Sequence, residues 1–224
     1  LYALDKRTGE LRWRTPRDAS AKKKFSFCTP FVIDVKGRRQ IISPASDYVF
    51  AYDLSGKQIW KSHYPGGYSV VPRPLYANGL IYVSSGYDRP VVYAIRPTGS
   101  GDVTETHVVW KADKNAPHNS SPIVVGELFF MAADSGVVSC LNARSGELIW
   151  RERVARQTSS LLLHASGRIY LIDEQGKTYV FAATKTYKLL AENDLSDRTL
   201  ASFAADEGTL YVRTASALWR IGEK

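Results

Sequence analysis

The 224-residue sequence has only two cysteines, 16 glycines and 10 prolines, and no apolar run near the ~18 residues of a membrane-spanning helix. Two cysteines cannot form a disulfide framework. Glycine and proline are too few for a collagen-like or disordered chain. No segment sustains a helical periodicity. The composition, 44% hydrophobic and 23% charged, therefore predicts a globular protein with a large core and no membrane span in this segment.

Positive charge is concentrated in the first quarter of the chain. The net charge is +8, and residues 1–61 carry 13 Lys and Arg against 6 Asp and Glu, including Lys22, Lys23 and Lys24. Such a patch suits nucleic acid, an anionic lipid or an acidic partner. No nucleic-acid-binding motif accompanies it, so we expect no nucleic-acid partner and interpret the patch as a solvated loop and strand face.

Four tryptophans recur at regular intervals. Trp13, Trp60, Trp110 and Trp150 are separated by 47, 50 and 40 residues. Each ends a similar phrase, in which an apolar strand is followed by a tight turn and a second strand. The turn glycines of three copies are Gly9, Gly56 and Gly146, and the copy ending at Trp110 has a lengthened turn.

We interpret the tryptophans and turn glycines as structural repeat residues. A Trp at the end of an outer strand can cover the face of a neighbouring sheet with a large apolar area. The fifth repeat has Leu189 and Leu190 where a Trp is expected, a replacement that packing tolerates and ligand stacking does not.

Two further short strands precede each phrase, so four antiparallel strands recur every ~40 to 45 residues, which is the period of a propeller blade. The fold class is therefore all-β, a β-propeller of four-stranded antiparallel blades. We predict one propeller domain over residues 1–224. The four full blades and two partial ones lie around residues 26–61, 69–111, 119–151 and 159–192 and at the two ends.

The number of strands at the two ends of the chain predicts a propeller with more blades than this segment contains. The chain opens with the third and fourth strands of one blade and closes with the first three of another, so a third strand would occur twice if they were joined. A propeller loses its edge strands only when the ring closes. We therefore expect the C-terminal portion of a propeller of seven or eight blades.

The phrase Tyr-Ala-x-Asp-x-x-Thr-Gly-x-x-x-Trp resembles the pyrroloquinoline quinone-like repeat of the quinoprotein alcohol dehydrogenase-like propellers, over essentially the whole chain. Residues 91–110 and 217–222 are similar to a subgroup that resembles the propeller lipoprotein of the outer-membrane β-barrel assembly machinery. This resemblance implies a bacterial cell-envelope protein in the periplasm or at the outer membrane. It also implies protein partners, a monomer and a lipid anchor encoded upstream. The fold alone does not define an activity.

Catalytic chemistry is not visible in the sequence. Quinone enzymes of this family place an adjacent Cys-Cys disulfide against the cofactor, whereas Cys28 and Cys140 are 112 residues apart. The acids are scattered over hairpin turns, where Asp5 and Asp53 are expected to accept backbone hydrogen bonds instead of binding Ca²⁺. The four histidines have no metal-ligand spacing. We predict no catalytic, cofactor-binding or metal-binding residues, no cofactor, and a protein that is not an enzyme.

The candidate interaction surfaces are the longer connections, at residues 17–27, 61–73 and 111–119. Aromatic and Arg side chains on projecting loops are favoured at protein interfaces. Tyr64 and Tyr68, in Tyr-Pro-Gly-Gly-Tyr, are the predicted partner-binding residues. The predicted function is a non-catalytic scaffold that binds proteins in the cell envelope. Two alternatives are an extracytoplasmic sensor propeller of a membrane kinase and part of a quinoprotein dehydrogenase whose cofactor residues lie upstream.

Overall fold

The computed structural model describes residues 1–17 and 21–222, in which the regular secondary structure is β-strand apart from one short helix. Its contacts group the residues into two compact units, Leu1–Lys111 and Ala112–Lys224. The six sheets hold two, five, four, four, four and three strands, so four full blades and two partial ones are confirmed. No helix within the described ranges is both long enough and apolar enough to cross a bilayer.

The first unit contains a two-stranded, a five-stranded and a four-stranded sheet. The strands are β1 (Tyr2–Leu4), β2 (Leu11–Arg14), β3 (Phe31–Val35), β4 (Arg38–Pro44), β5 (Tyr48–Tyr52), β6 (Gln58–His63), β7 (Leu75–Ala77), β8 (Leu80–Ser84), β9 (Val92–Ile95), β10 (Gly101–Asp102) and β11 (Val108–Ala112). Consecutive strands from β3 to β6 and from β7 to β9 pair antiparallel, as expected for hairpins, and β9 neighbours β11 in its sheet.

The second unit repeats the pattern in two four-stranded sheets and one three-stranded sheet. The strands are β12 (Ile123–Val125), β13 (Leu128–Ala132), β14 (Val137–Asn142), β15 (Leu148–Arg153), β16 (Leu163–Ala165), β17 (Arg168–Ile172), β18 (Lys177–Ala182), β19 (Leu189–Asp194), β20 (Ala204–Asp206), β21 (Thr209–Arg213) and β22 (Leu218–Ile221). All five residues of β13 are buried, which is the pattern of a strand covered on both faces.

The hairpin between the first two strands of a blade is defined by its turn residues. Asn78 and Gly79 have φ angles of 54° and 75°, so both lie in the left-handed region that a two-residue hairpin requires. Asn78 and Gly79 thus form the two-residue turn between β7 and β8. Ser166-Gly167 and Glu207-Gly208 have the same geometry, with a costlier non-glycine residue in the first position.

The lengthened turn before Trp110 does more than close a hairpin. Its residues form β10, which pairs parallel with β6 as a fifth strand, and a single helical turn, α1 (Thr104–His107). The Val103 N–H donates to the Lys61 carbonyl oxygen at 2.9 Å, and the His63 N–H donates to the Thr104 hydroxyl at 2.8 Å. The four predicted antiparallel strands β3–β6 are present, and this segment adds a fifth strand that covers the edge of β6.

Each unit has its own apolar core between sheets. In the first unit the core includes Ile42, Trp60 and Ile81, each fully buried, and in the second it includes Phe130 and Phe181. These positions alternate along their strands with residues on the opposite face, as the period of two predicts. The expectation of one propeller domain over residues 1–224 stays a prediction.

Candidate functional site

Two of the repeat tryptophans donate their indole N–H groups to the hairpin turn of the next blade. Trp13 donates to the Leu54 carbonyl oxygen at 3.0 Å, and Trp150 donates to the Thr184 carbonyl oxygen at 3.0 Å. Trp60 reaches the corresponding turn through Gln40, whose amide accepts from the indole at 2.9 Å and donates to the Pro97 carbonyl oxygen at 3.0 Å. The indole N–H of each of these three tryptophans thus has an acceptor within the protein, and this geometry suits a packing role.

Trp110 is buried, and its ring centroid lies 5.7 Å from that of Tyr82. The turn glycines differ in what surrounds them. Gly9, Gly56 and Gly146 all have positive φ. A Cβ on Gly56 would lie 2.6 Å from the Trp13 ring, whereas a Cβ on Gly9 would meet nothing within 4 Å. The structural role of the tryptophans and glycines remains a prediction that substitutions can test.

The carboxylates of Asp5 and Asp53 accept hydrogen bonds from backbone N–H groups of their turns. Asp5 accepts from the N–H groups of Arg7 and Thr8, and its hydrogen bond with the Arg12 side chain is the main cause of its lowered pKa. Asp53 accepts from Ser55 and Lys57, and chiefly the Ser55 hydroxyl lowers its pKa. The expectation that these acids satisfy turn backbone groups is confirmed.

The cysteines do not fit a quinone site. Cys28 is half-buried and Cys140 is buried, and both are free thiols in different compact units. Burial raises the pKa of each to about 12, so neither is a thiolate near neutral pH. Within residues 1–17 and 21–222, no group of three or more His, Cys, Asp or Glu side chains could hold a metal ion.

Tyr64, one of the two predicted partner-binding residues, lies in the core. It is 1% exposed, and its hydroxyl donates to the Ala45 carbonyl oxygen at 2.6 Å while accepting from the Ala45 N–H at 3.1 Å. Burial raises the pKa of Tyr64. The expected exposure of this side chain is therefore wrong, because two backbone hydrogen bonds and the Tyr93 ring, 5.8 Å away, hold it inside.

Tyr68, the second predicted residue, is half-buried and belongs to a row of aromatic rings. Its ring centroid lies 5.5 Å from Phe25 and 5.9 Å from Tyr87, both in edge contacts, and Phe25 lies 6.1 Å from Phe27. We name Phe27, Phe25, Tyr68 and Tyr87 the aromatic row. Three of its members are well exposed, Phe25 at 47%, Phe27 at 67% and Tyr87 at 56%.

Backbone hydrogen bonds hold the aromatic row together. The Phe27 N–H donates to the Val70 carbonyl oxygen at 2.9 Å, and the Ser69 N–H donates to that of Phe25 at 3.0 Å. The Tyr87 N–H donates to the Tyr68 carbonyl oxygen at 2.9 Å. Gly67 permits this close approach, since a Cβ there would lie 2.5 Å from the Tyr64 ring. The loops around residues 25–27, 67–70 and 86–87 therefore form one structure.

A cleft of about 410 Å³ lies beside the aromatic row and is lined by charged side chains. Lys23 lies 3.7 Å from the centroid of the Tyr68 ring and 3.6 Å from the Asp88 carboxylate. The contact with Tyr68, and less strongly that with Asp88, raises the pKa of Lys23. Lys22 and Asp47 also line the cleft, and Lys24, which is exposed, lines a second cleft together with Ser46. The surface thus combines exposed rings with clustered positive charge.

The predicted loops differ in what they offer. The loop at residues 17–27 and the loop at residues 61–73 meet in the aromatic row, although residues 18–20 lie outside the described residues. Within the part of the loop at residues 111–119 that belongs to the second unit, Ala116 is buried and the His118 ring lies 3.0 Å from the Asp134 carboxylate. Sequence reasoning missed Phe25, Phe27 and Tyr87, although apolar rings within a lysine-rich loop are a signal that could have found the first two.

The repeat, the blades and the tryptophan contacts define a β-propeller built of pyrroloquinoline quinone-like repeats. The model of the family described as "Outer membrane protein assembly factor BamB" matches residues 101–217, just over half of the chain. The chain therefore belongs to the BamB family.

Individual relatives are distant. The chain is 26% identical to BamB of Escherichia coli over 100 residues, which cover 45% of this chain and 25% of that protein. It is 21% identical to the tetrathionate hydrolase of Acidithiobacillus ferrooxidans over 98% of this chain and 46% of that protein. The chain thus spans less than half the length of these curated relatives.

Two solved structures show the same fold. The crystal structure of BamB from Moraxella catarrhalis aligns with a TM-score of 0.74 at 12% identity, covering 98% of this chain and 65% of that chain. A quinohemoprotein alcohol dehydrogenase from Pseudomonas putida aligns with a TM-score of 0.55 at 14% identity, covering 68% of this chain and 29% of that chain. The propeller fold predicted from the repeat is confirmed.

Proposed function

We propose that the protein is a non-catalytic scaffold that binds other proteins during outer-membrane protein assembly. The match to the BamB family supports the process, and the aromatic row supports the binding role. Exposed aromatic side chains beside basic ones are the residue types that protein interfaces favour. Scaffolding needs only such a surface, held rigid by the blades.

The proposal includes a location and a composition. The protein would act in the periplasm at the outer membrane, as a monomer whose lipid anchor is encoded upstream. Residues 1–224 would form part of one propeller domain, with no cofactor. The family match supports the location.

The first experiment is capture of partners from the native envelope. The full-length tagged protein is crosslinked in cells of its own organism, and the partners are identified by mass spectrometry. Recovery of the outer-membrane insertion machinery, together with reduced β-barrel protein in a deletion strain, is the expected result. A deletion strain with unchanged outer-membrane protein content and no crosslinked assembly protein would refute the proposal.

A second candidate function follows from the tetrathionate hydrolase match, which extends over 98% of this chain. Incubation of the purified full-length protein with tetrathionate tests it directly. We expect no consumption of tetrathionate above the buffer rate. Turnover that tracks the protein through purification would favour the hydrolase instead of the scaffold.

A further inference from the structure

We propose that the aromatic row and the lysines beside it bind an extended, acidic segment of a partner protein, with an apolar side chain of that segment against the rings. This inference rests on the proposed function, because it names the kind of segment the scaffold would hold. It concerns only the first unit, in which all of these residues lie.

The apolar part of the argument is exposed ring area. Phe25, Phe27 and Tyr87 keep roughly half or more of their surface in solvent, although each touches another ring of the row. A soluble surface rarely leaves several large rings adjacent and uncovered unless they bind something. Val71, 40% exposed, follows the same loop and adds apolar area.

The charge of the surface selects the partner. Within residues 1–17 and 21–222, neither Lys22 nor Lys24 forms an ion pair, whereas Lys23 between them contacts Asp88. Two exposed ammonium groups with no carboxylate partner among the described residues attract an acidic segment and steer its approach. Lys23 is held over the Tyr68 ring, where it fixes the wall of the cleft.

The lining of the cleft favours a peptide over a membrane surface. Asp47 and Asp88 line the same cleft as Lys22 and Lys23. A flat layer of anionic headgroups would bring phosphate charge against both carboxylates, and it could not enter a concave surface. An extended peptide can place its carboxylates near Lys22 and Lys24 and direct an apolar side chain to the rings.

The surface is also organised before binding. Three backbone hydrogen bonds join the loops that carry the rings, at 2.9, 3.0 and 2.9 Å. The Ser46 hydroxyl donates to the Phe25 carbonyl oxygen at 2.9 Å and attaches the lysine-rich loop to the blade. A preformed site loses little conformational entropy on binding, so a short segment suffices for measurable affinity.

The probe is a fluorescein-labelled peptide in which Glu alternates with Phe and Leu, and binding to the full-length protein is measured by fluorescence anisotropy. A second peptide has Lys in place of every Glu. Vesicles of phosphatidylglycerol in phosphatidylcholine are the third probe, followed by co-sedimentation. We expect saturable binding of the acidic peptide, weakened by added salt, and no binding of the basic peptide or the vesicles.

Two double variants locate the binding. Phe25→Ser with Phe27→Ser removes two exposed rings, and Lys22→Glu with Lys24→Glu reverses the charge of two exposed lysines. Each double variant is expected to weaken binding of the acidic peptide by about tenfold or more. The matched control is Lys185→Glu with Lys188→Glu, two exposed lysines of the second unit, which is expected to leave binding unchanged. Circular dichroism and the melting temperature confirm that each variant is folded.

The outcomes separate this inference from the proposed function. Equal binding of both peptides, binding of vesicles in place of peptide, or acidic-peptide binding that survives both double variants would overturn the inference. If the native envelope still yields the assembly machinery in those cases, the scaffold proposal stands without this surface. If the peptide binds as expected while no assembly protein is captured, the acidic-segment site is supported and the role in outer-membrane protein assembly is refuted.

Discussion

The ring of Trp13 occupies the space that a side chain on Gly56 would need, since a Cβ built on that glycine lies 2.6 Å from the ring. The Thr15 hydroxyl donates to the Gly56 carbonyl oxygen at 2.7 Å, next to the indole hydrogen bond. The tryptophan of one repeat and the turn glycine of the next are therefore one contact, which the recurring phrase encodes.

This contact predicts that Gly56→Ala destabilises the protein more than Gly9→Ala does. Both alanines would have a positive φ, but only the first would meet a ring, and overpacking costs about 1–3 kcal/mol more. Chemical denaturation of both variants gives the two free energies of unfolding. Equal losses of unfolding free energy would show that the positive φ of the turn, and not the contact with Trp13, explains why a glycine is present.

The hydrogen bonds that link Trp60 through Gln40 to Pro97 predict that substitutions of Trp60 and Gln40 have non-additive effects on the free energy of unfolding. Gln40→Leu leaves a buried indole N–H and a carbonyl oxygen without partners, at a cost of about 1–3 kcal/mol for each buried orphan group. Adding Trp60→Phe removes the orphan N–H, so the double variant is expected to lose less than the sum of the single losses. Additive free energies of unfolding would contradict the relay.

The burial of Tyr64 predicts a loss of stability without a loss of binding. Tyr64→Phe removes the hydroxyl that bonds to both backbone groups of Ala45, and we expect about 1–3 kcal/mol less stability. The matched control is Tyr68→Phe, which keeps the ring in the aromatic row and is expected to change stability by less than about 0.5 kcal/mol. A large loss of partner capture by folded Tyr64→Phe would contradict this assignment.

The raised thiol pKa values predict the pH dependence of stability. The folded thiols have pKa values of about 12 against an ordinary 9.0, so above pH 9.0 the unfolded chain loses these protons first. The stability that both thiols contribute below pH 9.0 is thus lost progressively toward pH 12.

Cys28→Ala with Cys140→Ala is expected to flatten that decline, which denaturant titrations at several pH values measure. In the native protein, iodoacetamide at about pH 8 is expected to modify neither thiol until the chain is unfolded. Rapid modification of native Cys28 would contradict its raised pKa.

The blades could be predicted from the sequence because their determinants are local. Asn78-Gly79 defines a hairpin by its own backbone preferences, and the continuous apolar run of β5 is that of a strand covered on both faces. The partner of an outer strand is not local. The parallel pairing of Gly101 and Asp102 with β6 joins residues about forty positions apart in sequence, and no turn signal indicates it.

The sequence by itself determined the repeat, the all-β class and the turn positions, since each depends on short-range spacing of glycine, apolar residues and tryptophan. Only the tertiary structure decided which loop aromatics are exposed. Tyr64 and Tyr68 belong to one five-residue stretch of the same loop, yet the first is buried by hydrogen bonds to Ala45 and the second joins rings from two other loops. Burial depends on what the rest of the chain places around a side chain, and composition carries no record of that neighbourhood.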